Sequence, residues 1–215
     1  MIIIITLGIL AYLIGSIPSA LIIGKTMNNG IDIREHGSGN LGTTNASRVL
    51  NKQNTAIIAL FDVFIKGTLV ILVSNFILRR YSIEVPGILF GYISIIGHNY
   101  PIFAGFKGGK GMATTIGIVF AHGFFTGLVA VVVLLSIITA TGYVALASIL
   151  TTAIFTIIGI LFLDYPIYIE MIMALFALVM IFQHRSNIRR MFNKTEKVAD
   201  MSKFFKWLGD MATFK

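Results

Sequence analysis

Residues 111–182 read GMATTIGIVFAHGFFTGLVAVVVLLSIITATGYVALASILTTAIFTIIGILFLDYPIYIEMIMALFALVMIF, and across that run only Asp164 and Glu170 carry charge. A bilayer-spanning helix needs ~20 such residues, and in lipid only helices and closed barrels satisfy their own backbone hydrogen bonds. Barrel strands alternate polar and apolar positions over about 10 residues, and this run does not alternate. It is read as helix embedded in a membrane. Breaks at His122-Gly123, between Thr139 and Gly142, and at Asp164-Tyr165-Pro166 divide it into four pieces, expected at about 109–121, 123–139, 142–163 and 166–183. The first piece is short for a span.

Working toward the N-terminus, further apolar runs predict spans at about 55–78 and 85–103, and a first span at about 1–24. That first run lacks a basic leading region and a small-x-small cleavage site, so a retained helix is expected rather than a signal peptide. Toward the C-terminus, 184–215 is a basic tail. Within it, residues 201–214 are expected to lie at the interface with Phe204, Phe205, Leu208 and Met211 toward lipid. The expectation is an all-α integral membrane protein of seven transmembrane helices forming one membrane-embedded domain over 1–215. Composition agrees: apolar residues make up 56% and charged residues 12%, against roughly 25% charged in a soluble domain.

The net charge is +8. With seven spans, the loop at 25–54, the loop at 105–111 and the tail share one face, and 14 of the 17 Lys and Arg fall there. The positive-inside rule makes that face cytoplasmic and the N-terminus external, although Arg79-Arg80 falls on the opposite side. Bases placed between apolar segments point to anionic lipid or a phosphorylated substrate rather than nucleic acid. The chain has no cysteine, which excludes disulfides, thiolate metal sites and a cysteine nucleophile.

Polar residues gather in three clusters. The first is His36-Gly37-Ser38-Gly39-Asn40-Leu41-Gly42-Thr43-Thr44-Asn45 with Arg48. Its glycines let backbone approach a ligand, its hydroxyls, amides and N–H groups suit phosphate oxygens, and Arg48 adds a bidentate donor. An ordinary flexible connector is the plain alternative, but connectors seldom end in Asn-Ala-Ser-Arg before a helix. The second is Gly97-His98-Asn99-Tyr100-Pro101 followed by Lys107-Gly108-Gly109-Lys110-Gly111. It is not a Walker P-loop, because Gly105 is one residue too close to Gly109-Lys110 and Gly111 stands where a Ser or Thr would hold magnesium. Two lysines on glycine hinges can still neutralise a phosphate. The third is His184-Arg185-Ser186-Asn187-Ile188-Arg189-Arg190, where His184 and Asn187 share a helical face. Asp62 and Lys66 stand four apart inside a predicted span, either as a functional pair or as a structural ion pair. His122 and Glu170 are read as span-edge residues. No cluster has metal-ligand spacing, so neither metal nor cofactor is expected.

Together these motifs resemble the bacterial acyl-phosphate-dependent glycerol-3-phosphate acyltransferases, the PlsY family, through Gly37 to Asn45, Gly97 to Pro101 with Gly108 to Gly111, His184 to Ile188, and Gly15-Ser16-Ile17-Pro18. The resemblance implies transfer of a fatty acyl group from acyl phosphate to the 1-hydroxyl of sn-glycerol 3-phosphate at the cytoplasmic face of a bacterial cell membrane. It implies partners supplying the donor and consuming the product within phospholipid synthesis. It implies catalytic roles for Ser38, Arg48, Lys110, His184 and Asn187. Substrate binding would fall to Gly39, Asn40, Gly42, Thr43, Thr44, Asn45, His98, Lys107, Gly108, Gly109 and Gly111. Thr43 departs from the family's usual Ala, and Asn193-Lys194-Thr195-Glu196 from its usual Gly-containing tail. The HxxxxD signature of coenzyme-A acyltransferases is absent, since Leu41, Phe103, Gly127 and Arg189 follow the four histidines at that offset. The rival reading is a transporter for phosphorylated small molecules, which would place polar groups near the bilayer midplane.

Overall fold

The computed structural model describes residues 1–200. The interfacial helix expected over 201–214 lies outside the described residues. Among the described residues every regular element is helical.

The expected first helix is two: α1 (Ile2–Ser16) and α2 (Ser19–Met27) meet at 41°. Pro18 sits at the break, where it lacks an N–H and its ring crowds the preceding turn. α3 (Thr43–Val49) ends the polar loop. α4 (Lys52–Leu60) and α5 (Val70–Arg80) are joined without a break by a π-helical stretch, Phe61–Leu69. Then follow α6 (Ile88–Asn99), α7 (Met112–Phe120), α8 (Phe124–Thr141) and α9 (Val144–Phe162). α10 (Ile167–Gln183) and α11 (Arg185–Phe192) meet at 52°.

Length separates these helices. The continuous helix Lys52–Arg80, α8 and α9 are each long and apolar enough to cross a membrane, and α1–α2 and α10–α11 become so as bent pairs. At 1.5 Å per residue, α6 and α7 rise only about 18 and 14 Å, against a hydrocarbon core of about 30 Å. The chain between them instead folds back into the bundle.

Small residues let helices approach where lipid supplies no hydrophobic drive for association. A Cβ on Gly15 of α1 would stand 2.1 Å from the Ser94 carbonyl oxygen of α6, and one on Gly117 of α7 would stand 2.0 Å from the Val63 carbonyl oxygen. Around these crossings Ile71, Leu78, Ile88, Phe90 and Ile169 are buried, while Phe76, Phe125, Leu161, Phe162 and Met171 face outward. An outer surface of that kind is solvated by acyl chains, not water.

The bundle has two distinct ends. At one, the turn after α5 and the turn before α10 line a shared recess, and His122 Nε2 lies 2.8 Å from the Tyr165 hydroxyl. At the other, Leu41 N–H donates to the Gly108 carbonyl at 3.4 Å, and Ala199 N–H donates to the Gly142 carbonyl at 2.8 Å. All three polar clusters meet at this second end.

Candidate active site

The first cluster is built around one amide. Asn45, at the start of α3 and buried, accepts from Ser38 N–H at 2.8 Å. Its Nδ2 donates to the carbonyls of Ile33 at 3.2 Å and His36 at 3.0 Å. Gly37 and Gly39 adopt φ of +64° and +70°, and a Cβ on Gly37 would stand 2.2 Å from Asn45 Oδ1. Asn45 therefore shapes the loop, and both of its amide N–H groups are committed to it. Asn40 accepts from Gly42 N–H at 3.2 Å, leaving its own donors open. The hydroxyl of Thr43 is buried and unpartnered among the described residues.

The second cluster is held from beneath by the end of α6. Gly109 N–H donates to the His98 carbonyl at 3.0 Å, and Gly108 N–H to the Asn99 carbonyl at 3.2 Å. A Cβ on Gly109 would stand 1.9 Å from His98 Nε2, so the loop lies directly on the imidazole. The His98 ring is fixed in turn by the π-helical stretch. Lys66 Nζ stands 3.2 Å from His98 Nδ1 and 2.8 Å from Asp62 Oδ1, while Ser19 donates to the same Asp62 oxygen at 2.9 Å. The widened π turn brings Asp62 and Lys66 inward together, with side-chain exposures of 0% and 3%, a geometry common at functional sites. Lys66 donating to Nδ1 puts the ring proton on Nε2, the side against which Gly109 rests.

The third cluster turns on the bend between α10 and α11. His184 Nδ1–H donates to the Met180 carbonyl at 2.9 Å, leaving Nε2 as a bare acceptor. Asn187 Oδ1 accepts from Lys110 Nζ, joining the second cluster to the third across the site.

These elements enclose a cavity of about 370 Å³. Ser38, Asn40, Gly42, Thr43, Thr44, Asn45 and Arg48 line it from the first cluster, His98, Lys110 and Gly111 from the second, and His184 and Asn187 from the third. Gly111, at φ +86°, starts α7, so the unpaired N–H groups of that helix begin at the cavity wall and favour an anion there. Val131, Leu134, Val144 and Ala145 of α8 and α9 supply an apolar wall. Lys107 is exposed and outside this lining, and Gly39, Gly108 and Gly109 support the wall without forming it.

Residues 5–194 match the glycerol-3-phosphate acyltransferase family. The chain belongs to that family. It is 42% identical over 197 residues to glycerol-3-phosphate acyltransferase 2 of Bacillus cereus, covering 92% of this chain and 96% of that one. It is 44% identical over 190 residues to the glycerol-3-phosphate acyltransferase of Bacillus velezensis, covering 87% and 93%. Among solved structures it is similar to PlsY (YgiH), an integral membrane glycerol 3-phosphate acyltransferase. The glycerol 3-phosphate form gives a TM-score of 0.81 at 34% identity, covering 94% of this chain and 98% of that one. The lysophosphatidic acid form gives 0.78 at 35%, covering 90% and 94%. This family member is accordingly an integral membrane protein whose regular elements are all helical among the described residues.

The acyltransferase site is strongly cationic. Burial, then Arg190, pushes the Lys110 ammonium down to about 8, and burial, then Lys110, pushes His184 down to about 4. At neutral pH Lys110 is charged and His184 is neutral. Sequence reasoning placed Ser186 and Arg190 in the third cluster without giving them a site role and did not mark Glu196, yet all three line the cavity; it also left the role of Asp62 and Lys66 open. Glu196 carried no signal beyond its place in a basic tail. The Asp62–Lys66 spacing was the available signal for the ion pair.

Proposed function

We propose that this protein transfers a fatty acyl group from acyl phosphate to the 1-hydroxyl of sn-glycerol 3-phosphate, yielding lysophosphatidic acid and inorganic phosphate, the first acylation of phospholipid synthesis. The observation that carries this reading is the convergence of all three polar clusters on one cavity that also has an apolar wall. A cationic, amide-rich floor suits two phosphates, and the wall of α8 and α9 suits an acyl chain.

The chemistry asks for positioning and charge neutralisation more than for a nucleophile. Ser38, Asn40, Thr43, Thr44 and Arg48, with the N–H groups around Gly42 and Gly111, hold phosphate oxygens. Lys110 binds the phosphate of glycerol 3-phosphate and neutralises the one that departs. His184 and Asn187 orient the acceptor so that its 1-hydroxyl oxygen attacks the acyl carbonyl carbon. The bond from that carbon to the phosphate oxygen breaks, the electron pair leaves with phosphate, and the hydroxyl proton passes to His184 Nε2 or to the acceptor's own phosphate. Asn45 and His98 act by shaping the loops that carry these groups.

The same reading places seven crossings in a bacterial cytoplasmic membrane, with the N-terminus outside and the site and tail facing the cytoplasm. Residues 1–215 then serve as one membrane-embedded domain. The basic loops and tail at the site end support that orientation. An enzyme making acyl phosphate and one acylating lysophosphatidic acid would stand on either side of the reaction.

The test is phosphate release by purified protein given palmitoyl phosphate, with and without glycerol 3-phosphate. Acceptor-dependent release with lysophosphatidic acid formation, lost in Ser38→Ala and Lys110→Ala, is the expected result. No turnover by folded protein in detergent and again in lipid would overturn it, and uptake of glycerol 3-phosphate into proteoliposomes would then be measured.

A further inference from the structure

Glu196 lies in the tail, beyond every motif that carries the resemblance, yet its side chain is only 5% exposed. One carboxylate oxygen accepts from Arg190 Nε at 2.6 Å, and the other accepts from Asn187 Nδ2 at 2.8 Å. Since that oxygen takes the amide's nitrogen end, Asn187 must turn its oxygen toward Lys110, whose ammonium donates to it. An amide rotated by half a turn would present N–H to an ammonium and repel it. The segment that holds Glu196 is tied down at both sides. Thr195 and Glu196 N–H groups donate to the Arg190 carbonyl at 2.8 and 3.2 Å, and Ala199 N–H donates to the Gly142 carbonyl between α8 and α9.

Resting on the acyltransferase reading above, we propose that Glu196 is a positioning residue, fixing the Asn187 amide so that its oxygen holds Lys110 at the phosphate site. Glu196 does not touch substrate; it acts through Asn187. It is also an anion facing Lys110 among cations: Arg48 faces it from α3, and Arg185 and Arg190 from α11, while the neutral His184 faces it from the α10–α11 bend. Asp62, Lys66 and His98 line or underlie the same cavity but are committed to one another. With Glu196 removed, the Lys110 ammonium loses that counter-charge and gives up its proton more readily.

Two variants separate geometry from charge. Glu196→Gln keeps an oxygen for Asn187 Nδ2 and loses the charge; Glu196→Ala loses both. The first readout does not need turnover: competitive acylation of Lys110 against pH, followed by peptide mass spectrometry on folded protein. Its midpoint is expected to move to lower pH in both variants. The second readout is kinetic. Glu196→Ala is expected to raise KM for glycerol 3-phosphate about tenfold at pH 7, the size of one lost hydrogen bond to a charged group. Glu196→Gln is expected to stay near the native KM at pH 7 but to lose activity at a lower alkaline pH than the native protein. An unchanged Lys110 midpoint in both variants overturns the proposal, as does an equal fall of kcat and thermal midpoint in both with KM unmoved. Native protein without acyl transfer would sink the functional reading instead, and the labelling midpoint would still judge Glu196.

Discussion

His184 and Lys110 face each other across the cavity with opposite debts to solvent. His184 has its Nδ1 proton committed to the Met180 carbonyl, so the lone pair of Nε2 is what the cavity receives. If that nitrogen takes the hydroxyl proton, His184→Ala should lower kcat by ~100-fold or more, far more than it raises KM for glycerol 3-phosphate. Single-turnover and steady-state rates would show it, and an unchanged kcat would hand the proton to the acceptor's phosphate. Its pKa, lowered to about 4 by burial, also bears on stability. Between there and the ordinary value near 6.5 the unfolded chain binds a proton that the native chain does not. Stability should therefore fall as pH drops through that window. Thermal midpoints at pH 7 and pH 5 should diverge more for the native protein than for His184→Gln. Lys110, lowered to about 8, predicts the alkaline side. Above that pH the empty site loses its ammonium, so apparent affinity for glycerol 3-phosphate should weaken about tenfold by pH 9, read by binding calorimetry.

At the scale of elements, the loops and the short helices are consequences of side chains that never meet substrate. Asn45→Ala would leave the Ser38 N–H and the carbonyls of Ile33 and His36 without their partner. We expect a loss of about 2–4 kcal/mol together with weaker substrate binding, measured by unfolding in detergent and by KM. Gly117→Val would drive a side chain into the Val63 carbonyl and should cost about 3 kcal/mol or more, separating α7 from the π-helical stretch that carries Lys66. The sequence disclosed which residues would gather here, since phosphate chemistry is legible in Gly, Ser, Thr, Asn, Lys and Arg at short spacing. It did not disclose that Asn45 works on the loop itself, because an amide that folds a loop and one that binds a ligand look alike in one dimension. Nor did it disclose Glu196. That carboxylate matters through Asn187 and Arg190, and only the bend between α10 and α11 brings the tail back to them. The break at Pro18 was readable in principle, but an unbroken run of apolar residues outweighed one proline.

For the whole molecule, the two ends of the bundle make a testable map. The chain has no cysteine, so single substitutions can be labelled without background. Ser82→Cys and Asp164→Cys should react with an impermeant thiol reagent on intact cells, and Asn29→Cys and Asn193→Cys only after lysis. Labelling of Asn193→Cys from outside would put the site and the tail on the external face and invert the proposed orientation. Apolar runs made the helical bundle plain from composition alone. They marked the piece that forms α7 as short, but they could not show that α6 stops early at Asn99, because that depends on the glycine loop folding inward onto His98 rather than on hydropathy.

The wall of α8 and α9 beside a cationic floor means that the two substrates reach one site from phases of different dimension. Glycerol 3-phosphate arrives at a concentration counted per volume. A donor whose tail rests on Val131, Leu134, Val144 and Ala145 arrives at a density counted per area of bilayer. Diluting the donor with inert lipid, at constant total amount, should slow the reaction in proportion to its mole fraction, whereas adding buffer should not. The rate would then follow how crowded the membrane surface is with donor, a quantity that no bulk concentration reports.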